Sequence, residues 1–370
     1  MLPAMTTKPR IAIVGPGRLG GALAQHLRRA GYTITDLVSP KRTRSNRRTR
    51  SLAATLGARV SNLDNAVLNA NLVWFCVPDR QIAVAASLLA KKTNWSRKTA
   101  FHSSGALPSG ELAVLRQRGA AIASVHPMMT FVRGTVPSLQ GVPFALEGDL
   151  APLRIAQKIV RNLGGLPFKI AAKHKVAYHA WGAFASPLLI ALLVSAEQVA
   201  RAAGLSAADA RKKMLPILKQ TIGNYARLGP ARASSGPFVR GDAETVRKHL
   251  KILRAIPEAR EVYLALAQVT LRSLPMQNKS SLRQILSLMS ALGAVEVGDR
   301  VRIIEVPPLK PTEHRTHTIF QRCLGKVFRV AGFQKGLIEL QVGRVVGRFP
   351  GAETIWVEPE FLERVDSPRR

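Results

Sequence analysis

The sequence predicts an α/β fold: a doubly wound parallel sheet, followed by an all-helical domain and a small C-terminal β-barrel. Short apolar strands alternate with helices over residues 8–171, which is typical of a doubly wound sheet. Only helical periodicity follows, as far as Leu292. Short strands between Gly and Pro turns then fill residues 294–370, as in SH3-like barrels. We therefore expect domains at residues 1–171, 172–293 and 294–370.

The first strand, Ile11 to Val14, leads directly into a glycine-rich turn with the spacing G-x-G-x-x-G, and an apolar-periodic helix follows. In this pattern the first glycine permits a tight turn, and the second lets the backbone approach a pyrophosphate. The third lets the helix pack closely on the strand. The strand–turn–helix context predicts a Rossmann dinucleotide site, the alternative being an ordinary glycine-rich βα turn. The predicted cofactor-binding residues are Gly15, Pro16, Gly17, Arg18, Leu19 and Gly20.

The end of the second strand lacks the acidic residue expected of an NAD site. That residue stands about 20 positions beyond the glycines, where this chain has Ser39 and Pro40; Asp36 falls within the strand. Arginines follow, and guanidinium groups bind phosphate bidentately. Ser39, Arg42 and Arg44 are therefore predicted to bind the 2′-phosphate of NADP, the alternative being a solvated basic loop.

Later strands of the predicted sheet also end in residues suited to a ligand crevice. A third buried strand ends at Val77 and Pro78, and further strands end near Ser103 and His126. Ligands of open α/β sheets bind at the carboxyl ends of the strands, so Val77, Pro78 and Ser103 are predicted to line the cofactor crevice. His126 is a candidate catalytic proton donor, because histidine titrates near neutral pH. The alternative is a turn-stabilising histidine.

The helical half supplies the remaining candidates. His179 and Ser186 share one predicted helical face, so both are candidate catalytic residues. Arg240, in a glycine-bounded loop, is a candidate for binding a substrate carboxylate, although an ordinary surface arginine is the alternative. Pro187 is expected to kink the helix or to begin a new one. The apolar stretch 183–194 predicts a homodimer interface.

The net charge of +33 limits the classes of function. Residues 294–370 hold 13 Lys and Arg against 10 Asp and Glu, so the excess lies in the first two predicted domains. The positive electrostatic potential of this charge excess attracts anionic cofactors and substrates. Aromatic residues make up only 5% of the chain and no RNA-binding signature accompanies the charge, so no specific nucleic-acid partner is expected.

Cysteine content and hydropathy limit the location of the protein. Cys76 and Cys323 lie far apart, which favours a reducing cytoplasm over a disulfide framework. No apolar run reaches the ~18 residues of a membrane span, so no membrane association is expected. His314 and His317 are expected to be loop residues rather than metal ligands, since no cysteine stands at zinc spacing.

Residues 8–275 resemble a known family, the Rossmann-like proteins that carry domain of unknown function 2520. These are relatives of pyrroline-5-carboxylate reductase and of deazaflavin-dependent NADP reductases. The resemblance implies an NADP-linked oxidoreductase whose helical half often dimerises, and it implies no particular substrate. Pro187 departs from the Asn that is usual there, and Asn could hydrogen-bond a substrate or cofactor. The segments that carry the resemblance are Gly15–Gly20, Val77–Asp79, His102–Gly105, His126–Pro127, Thr130–Phe131, Tyr178–Ala180, Phe184–Ser186, Gly229–Pro230, Gly236–Pro237 and Arg240–Asp242.

The sequence thus predicts a cytoplasmic, homodimeric oxidoreductase that transfers a hydride between NADP and a small, anionic substrate. A non-catalytic dinucleotide-binding sensor or scaffold is the alternative, favoured by Pro187 and by the appended barrel. A nucleic-acid-associated protein is a further alternative, favoured by charge alone.

Overall fold

The computed structural model describes residues 8–39, 47–275, 295, 297–307, 314–334, 337–349 and 351–365. Arg42, Arg44 and the end of the predicted helical run, residues 276–292, lie outside these described residues. The chain divides into two compact units, Met1–Leu189 and Ile190–Arg370.

The first unit contains a mostly parallel, eight-stranded sheet. The sheet order is β3-β2-β1-β4-β5-β6-β7-β8, and only β6 and β7 pair in antiparallel fashion. The order reverses between β1 and β4, and ligands of doubly wound folds bind in the crevice at such a point. The strands are β1 (Ile11–Val14), β2 (Ile34–Ser39), β3 (Arg59–Asn62), β4 (Leu72–Phe75), β5 (Thr99–His102), β6 (Ala121–Pro127), β7 (Pro143–Gly148) and β8 (Leu166–Lys169).

Helices cover both faces of this sheet, which explains the continuous apolar run of β1. Ile11 and Ile13 belong to one hydrophobic core, while Ala12 and Val14 belong to another on the opposite face. The predicted doubly wound α/β fold is therefore confirmed. Its helices are α1 (Arg18–Arg29), α2 (Arg47–Leu56), α3 (Asp79–Ala90), α4 (Ala113–Arg116), α5 (Leu150–Asn162) and α6 (Lys175–Ala185).

The next residues form the predicted run of helices, and their ends follow the sequence signals. Ser206 accepts a hydrogen bond from the Asp209 backbone N–H at 3.1 Å, and Asp242 accepts one from that of Thr245 at 3.0 Å. Gly229 has φ +73° and interrupts α8, as its Gly-Pro sequence predicts. The helices are α7 (Pro187–Ala202), α8 (Ala207–Ala233), α9 (Pro237–Arg240), α10 (Ala243–Leu253) and α11 (Pro257–Ser273).

One helical stretch, Ala172–Ala202, is long and apolar enough to cross a membrane by length and composition, although the sequence predicted none. Its most apolar window is 0% buried within the chain. The stretch is not one continuous α-helix, since α6 ends at Ala185 and α7 begins at Pro187, as expected for Pro at a first helical position. Its exposure leaves a large apolar surface uncovered.

The C-terminal residues form a five-stranded antiparallel sheet in the order β12-β11-β10-β9-β13. Its strands pack around a hydrophobic core that includes Val301, Leu340 and Val357. The predicted strands are confirmed, with β13 in addition, whereas closure into a barrel stays a prediction. The strands are β9 (Arg300–Ile303), β10 (Val327–Gln334), β11 (Leu337–Gln341), β12 (Thr354–Val357) and β13 (Leu362–Arg364).

The expectation that His314 and His317 lie in a loop is wrong. Both lie in α12 (His314–Cys323), which forms because it buries Phe320 and Cys323 in the core of the C-terminal sheet. Within the described residues, no group of three or more His, Cys, Asp or Glu side chains is arranged to hold a metal ion.

Candidate active site

The three glycines of the β1–α1 turn have three different surroundings. Gly15 has φ +90°, and a Cβ there would lie 2.9 Å from the Cys76 carbonyl oxygen. A Cβ on Gly20 would collide with the Gly15 carbonyl oxygen. Around Gly17, by contrast, no heavy atom of the described residues lies within 4 Å of the Cβ position, its chain neighbours and its own helix backbone aside. The turn is therefore tight at Gly15, closely packed at Gly20 and open at Gly17, where a pyrophosphate has room to approach.

A cleft of about 230 Å³ lies beside this turn. Two exposed arginines, Arg18 at the start of α1 and Arg48 on α2, line it and give it positive charge. The N-terminus of α1 adds the partial positive charge of its free N–H groups. Sequence reasoning missed Arg48, although it stands in the same basic run as Arg42 and Arg44.

The end of β2 has the composition that the sequence predicted. Ser39 is its last residue. Asp36 lies in the middle of the strand, fully buried, and forms an ion pair with Arg59 at 2.7 Å. Because it lies within the strand and is 0% exposed, Asp36 is not placed to bind a ribose.

Val77, Pro78 and Ser103 lie at the carboxyl ends of β4 and β5. A Cβ on Gly15 would lie 2.8 Å from Val77 Cγ1, and Pro78 is the residue before α3. The Ser103 hydroxyl accepts a hydrogen bond from Trp74 Nε1 at 2.8 Å and donates one to the Val125 carbonyl at 3.1 Å. The side chain of Ser103 therefore links the neighbouring strands β4 and β6 by hydrogen bonds.

Two predicted candidates meet at the end of β6. His126 Nδ1 lies 2.8 Å from the Tyr178 hydroxyl oxygen, and its ring centroid lies 6.3 Å from that of His179. Gly105 separates the two imidazoles: a Cβ there would lie 2.7 Å from His179 Cδ2 and 2.9 Å from His126 Nε2. Only glycine fits without moving a histidine.

The electrostatic environment keeps His126 neutral. Burial, together with the charges of Lys175, His179 and His102, lowers the pKa of His126 to about 4. Burial also raises the pKa of Tyr178 to about 12. Both members of the pair are therefore uncharged at neutral pH, and the pair holds two exchangeable protons.

A buried lysine lies close to the histidine cluster, by which we mean His126, Tyr178, His179 and Gly105. Lys175 is 0% exposed, and its Nζ donates to the Ser104 carbonyl at 3.0 Å and to Ser124 Oγ at 2.8 Å. Burial lowers the pKa of Lys175 to about 8, an effect opposed by Glu147 and Asp79. The ammonium form still predominates at pH 7. Sequence reasoning missed Lys175, although it stands three and four residues before Tyr178 and His179, on one helical face.

The loop after β5 is fixed by its own hydrogen bonds. The Ser104 backbone N–H donates to His102 Nδ1 at 3.1 Å, so His102 Nε2 carries the proton and donates to the Pro108 carbonyl at 2.9 Å. Ser104 Oγ donates to Asp79 Oδ2 at 2.9 Å. Burial lowers the pKa of His102 to about 4. His102 is thus a neutral residue that shapes the loop carrying Gly105.

Two predicted site residues are not joined to this cluster. Ser186 follows the last residue of α6 with non-helical φ −131° and ψ −82°, so the helical face that carries His179 ends before it. In the described part of the chain, no hydrogen bond or ring contact links Ser186 to either histidine. Arg240 is an exposed residue at the end of α9, in the second unit. Its role in substrate binding stays a prediction.

Comparison with protein families agrees with this architecture. Residues 4–127 match the model of a Rossmann-like domain, and residues 142–270 match that of a domain of unknown function, DUF2520. The chain carries a Rossmann-like domain followed by a DUF2520 domain. The resemblance seen in the sequence motifs is thereby confirmed. No protein of curated function matches this chain.

Solved structures share the fold of this Rossmann-like and DUF2520 chain. A proposed NADP oxidoreductase from Bacteroides fragilis superposes with TM-score 0.61 at 20% identity, over 70% of this chain and 97% of that one. A protein from Thermotoga maritima gives TM-score 0.55 at 25% identity, over 70% and 96%. A reductive aminase from Aspergillus terreus, in complex with NADPH, gives TM-score 0.52 at 19% identity, over 75% and 98%.

Proposed function

We propose that this protein is an NADP-dependent oxidoreductase that transfers a hydride between the nicotinamide and a small substrate. One observation carries the proposal: the open glycine turn follows the carboxyl end of β1, and His126, which pairs with Tyr178, lies at the carboxyl end of β6 in the same sheet. A dinucleotide site and a proton donor are the two parts that carbonyl or imine reduction requires.

The residues of the crevice fit a dinucleotide that carries a 2′-phosphate. The open backbone at Gly17 and the N-terminus of α1 would hold the pyrophosphate. Arg18 supplies positive charge beside that turn. Arg48, which lines the same cleft, is proposed to bind the 2′-phosphate together with Ser39, Arg42 and Arg44. The absence of an acidic residue at the end of β2 favours NADP over NAD. The NADPH complex of the Aspergillus terreus enzyme of the same fold supports this choice.

The bound cofactor would supply the hydride, and the chain would supply the proton. In our proposal His126 Nε2, which lies on the Gly105 side of the ring, donates a proton to the substrate. Nδ1 at the same time accepts the proton of the Tyr178 hydroxyl across the 2.8 Å hydrogen bond. Solvent then restores the proton of Tyr178. His179, exposed on the other side of Gly105, would help to orient the substrate.

We propose that a second copy of the chain covers the exposed apolar surface of α7 and α8. No residue of α7 is buried, and Leu188, Ile190 and Val194 are about half exposed or more. On α8, Ile217 and Tyr225 are exposed by 67% and 62%. Apolar surface of this extent marks an interface. A cytoplasmic homodimer is the form that also agrees with two free cysteines.

Calorimetric titration with NADPH and NADH, followed by turnover assays, tests the function. We expect NADPH to bind at least about ten-fold more tightly, because each charge-assisted phosphate contact contributes roughly 1.5–3 kcal/mol. Binding without turnover of any carbonyl or imine would favour a non-catalytic sensor, for which Pro187 is the relevant departure. Reversion by Pro187→Asn then tests that alternative. Lack of binding to either dinucleotide overturns both.

A further inference from the structure

The peptide bond between Ser104 and Gly105 has an unusual environment. Its carbonyl oxygen accepts hydrogen bonds from Lys175 Nζ at 3.0 Å and from Ser124 Oγ at 3.2 Å. Gly105 is buried, yet within the described residues its N–H has no hydrogen-bond partner. Buried backbone N–H groups without a partner are rare, because each one costs about as much as a lost hydrogen bond.

The geometry of the peptide group restricts where this N–H points. The C=O and N–H of a trans peptide point in opposite directions, so the Gly105 N–H points away from Lys175. The residue that carries it lies between the two imidazoles, and a Cβ built on Gly105 would lie 2.9 Å from His126 Nε2. The N–H and Nε2 are thus two potential donors from neighbouring positions.

The charges around this peptide make the N–H a stronger donor. A buried ammonium on the carbonyl oxygen polarises the amide. The nearby carboxylates are held by other groups: Asp79 accepts from Ser104 Oγ, and Glu147 accepts from the N–H and hydroxyl of Ser109. The charges that act on His126 come from Lys175, His179 and His102, and all lower its pKa. The carboxylates of Asp79 and Glu147 keep their charge and raise the pKa of Lys175, but the group in direct contact with the Ser104 carbonyl oxygen is the Lys175 ammonium.

We propose that the Ser104–Gly105 peptide, backed by Lys175, is an oxyanion-binding donor, and that the substrate is therefore a neutral aldehyde or ketone rather than a cationic iminium. The inference rests on the proposed function and names its substrate class. A hydride carrying two electrons forms the new C–H bond at the carbonyl carbon, and the C=O π pair moves to oxygen. That oxygen is stabilised by the Gly105 N–H and takes a proton from His126 Nε2, which gives an alcohol. An iminium would bring positive charge toward Lys175 and develop no oxyanion.

The first test compares probes of one ring size: cyclohexanone against 2,3,4,5-tetrahydropyridine, with NADPH oxidation as the readout. We expect the ketone to be reduced faster. Lys175→Met should lower kcat for cyclohexanone about ten-fold, less than the ~10²–10³-fold cost of losing an oxyanion donor, because it removes the charge that polarises the donor and keeps the donor itself. The Kd for NADPH should be unchanged. Lys173→Met, which removes an exposed lysine from the preceding turn, is the matched control. Preferred reduction of the imine, or equal kcat values for both variants, overturns the inference.

The second test does not depend on turnover, so it separates failure of the inference from failure of the proposed function. Labelling Ser carbonyl carbons with ¹³C and Gly nitrogens with ¹⁵N leaves only Ser-Gly peptides visible, at Gly105, Gly110 and Gly236. Gly110→Ala and Ser235→Ala assign two of these signals. With NADP⁺ present, phenolate should shift the Gly105 amide downfield, and less so in Lys175→Met. An unchanged Gly105 amide overturns the inference even where NADPH binds, whereas loss of NADPH binding overturns the proposed function.

Discussion

His126 Nδ1 lies 2.8 Å from the Tyr178 hydroxyl oxygen across 52 residues of sequence. The contact joins the end of β6 to the second turn of α6, so it depends on the packing of that helix beside the sheet. Burial keeps both groups uncharged at neutral pH, so donation of a proton through the pair leaves a Tyr178 phenolate that solvent must reprotonate.

Tyr178→Phe should lower turnover about 10²-fold with the Kd for NADPH unchanged, because it removes the proton behind His126. His126→Gln should lower turnover by at least as much. The matched control is Tyr263→Phe, since the Tyr263 hydroxyl lies 3.0 Å from His249 Nδ1 in the second unit and belongs to no proposed site. Equal losses in the two tyrosine variants would point to a general effect on folding.

Gly17→Ala and Gly20→Ala should separate cofactor binding from stability. A Cβ at position 17 meets no atom of the described residues outside its own turn and helix, so the protein should stay folded. NADPH binding should weaken by about tenfold or more, because the methyl group would occupy the proposed pyrophosphate position. A Cβ at position 20 collides with the turn and should lower the melting temperature. Differential scanning calorimetry and titration calorimetry measure the two effects. If folded Gly17→Ala binds NADPH with full affinity, the pyrophosphate does not bind at this turn.

The sheet and the glycine turn were predictable because their signals are local. An apolar strand, a fixed glycine spacing and helix caps such as Ser206 are readable within a few residues. The site was only partly predictable, since His126 and His179 were found as single residues but their relation through Gly105 was not. Lys175 was missed because its burial is a long-range result: Ser104 and Ser124 contact it from 71 and 51 residues away. A run with two lysines and a histidine, Lys173 to Lys175, gives no local sign that one member is buried.

Arg48→Ala should reduce the preference for NADPH over NADH. Arg48 lines the charged cleft beside the glycine turn, and a lost contact between a guanidinium and a phosphate weakens NADPH binding by about ten-fold or more while NADH binding changes little. Arg50→Ala is the control, because Arg50 is exposed on the same helix and does not line that cleft. The same measurement applies to Arg42→Ala and Arg44→Ala. An undiminished NADPH preference in all three variants would place the 2′-phosphate elsewhere.

Light scattering at micromolar concentration should give the mass of a dimer. Ile190→Lys and Ile217→Lys place a charge on exposed apolar residues of α7 and α8, and each should shift the mass toward that of one chain, because burying an unpaired charge in an interface is costly. Leu150→Lys is the control, because Leu150 is an exposed apolar residue on α5, away from α7 and α8. A monomeric mass for the unaltered protein would contradict the proposed homodimer.

Stability of the first unit should fall between about pH 6.5 and pH 4. The pKa values of His102 and His126 are both lowered to about 4 in the folded chain, against about 6.5 when unfolded. Over this interval the unfolded state binds more protons, so the stability present above pH 6.5 is lost as the pH decreases. Each histidine contributes a slope of up to ~1.4 kcal/mol per pH unit. Lys175 and Asp242 do not contribute to the pH dependence of stability in this interval. The lowered pKa of Lys175 affects stability only above about pH 8, and that of Asp242 only below pH 3.8.

Urea denaturation at pH 7 and about pH 5.5 measures this slope. Tryptophan fluorescence in a Trp356→Phe background reports the first unit, where Trp74 and Trp95 are fully buried. In His102→Gln the free energy of unfolding should lose about half of its dependence on pH, because His126 still titrates. This expectation holds whether or not the substitution changes the stability at pH 7. His249→Gln, a histidine of the second unit, should leave the slope unchanged. A slope that His102→Gln does not reduce would mean that His102 is protonated in the folded chain, and its hydrogen bonds to Ser104 and Pro108 would then need a different assignment.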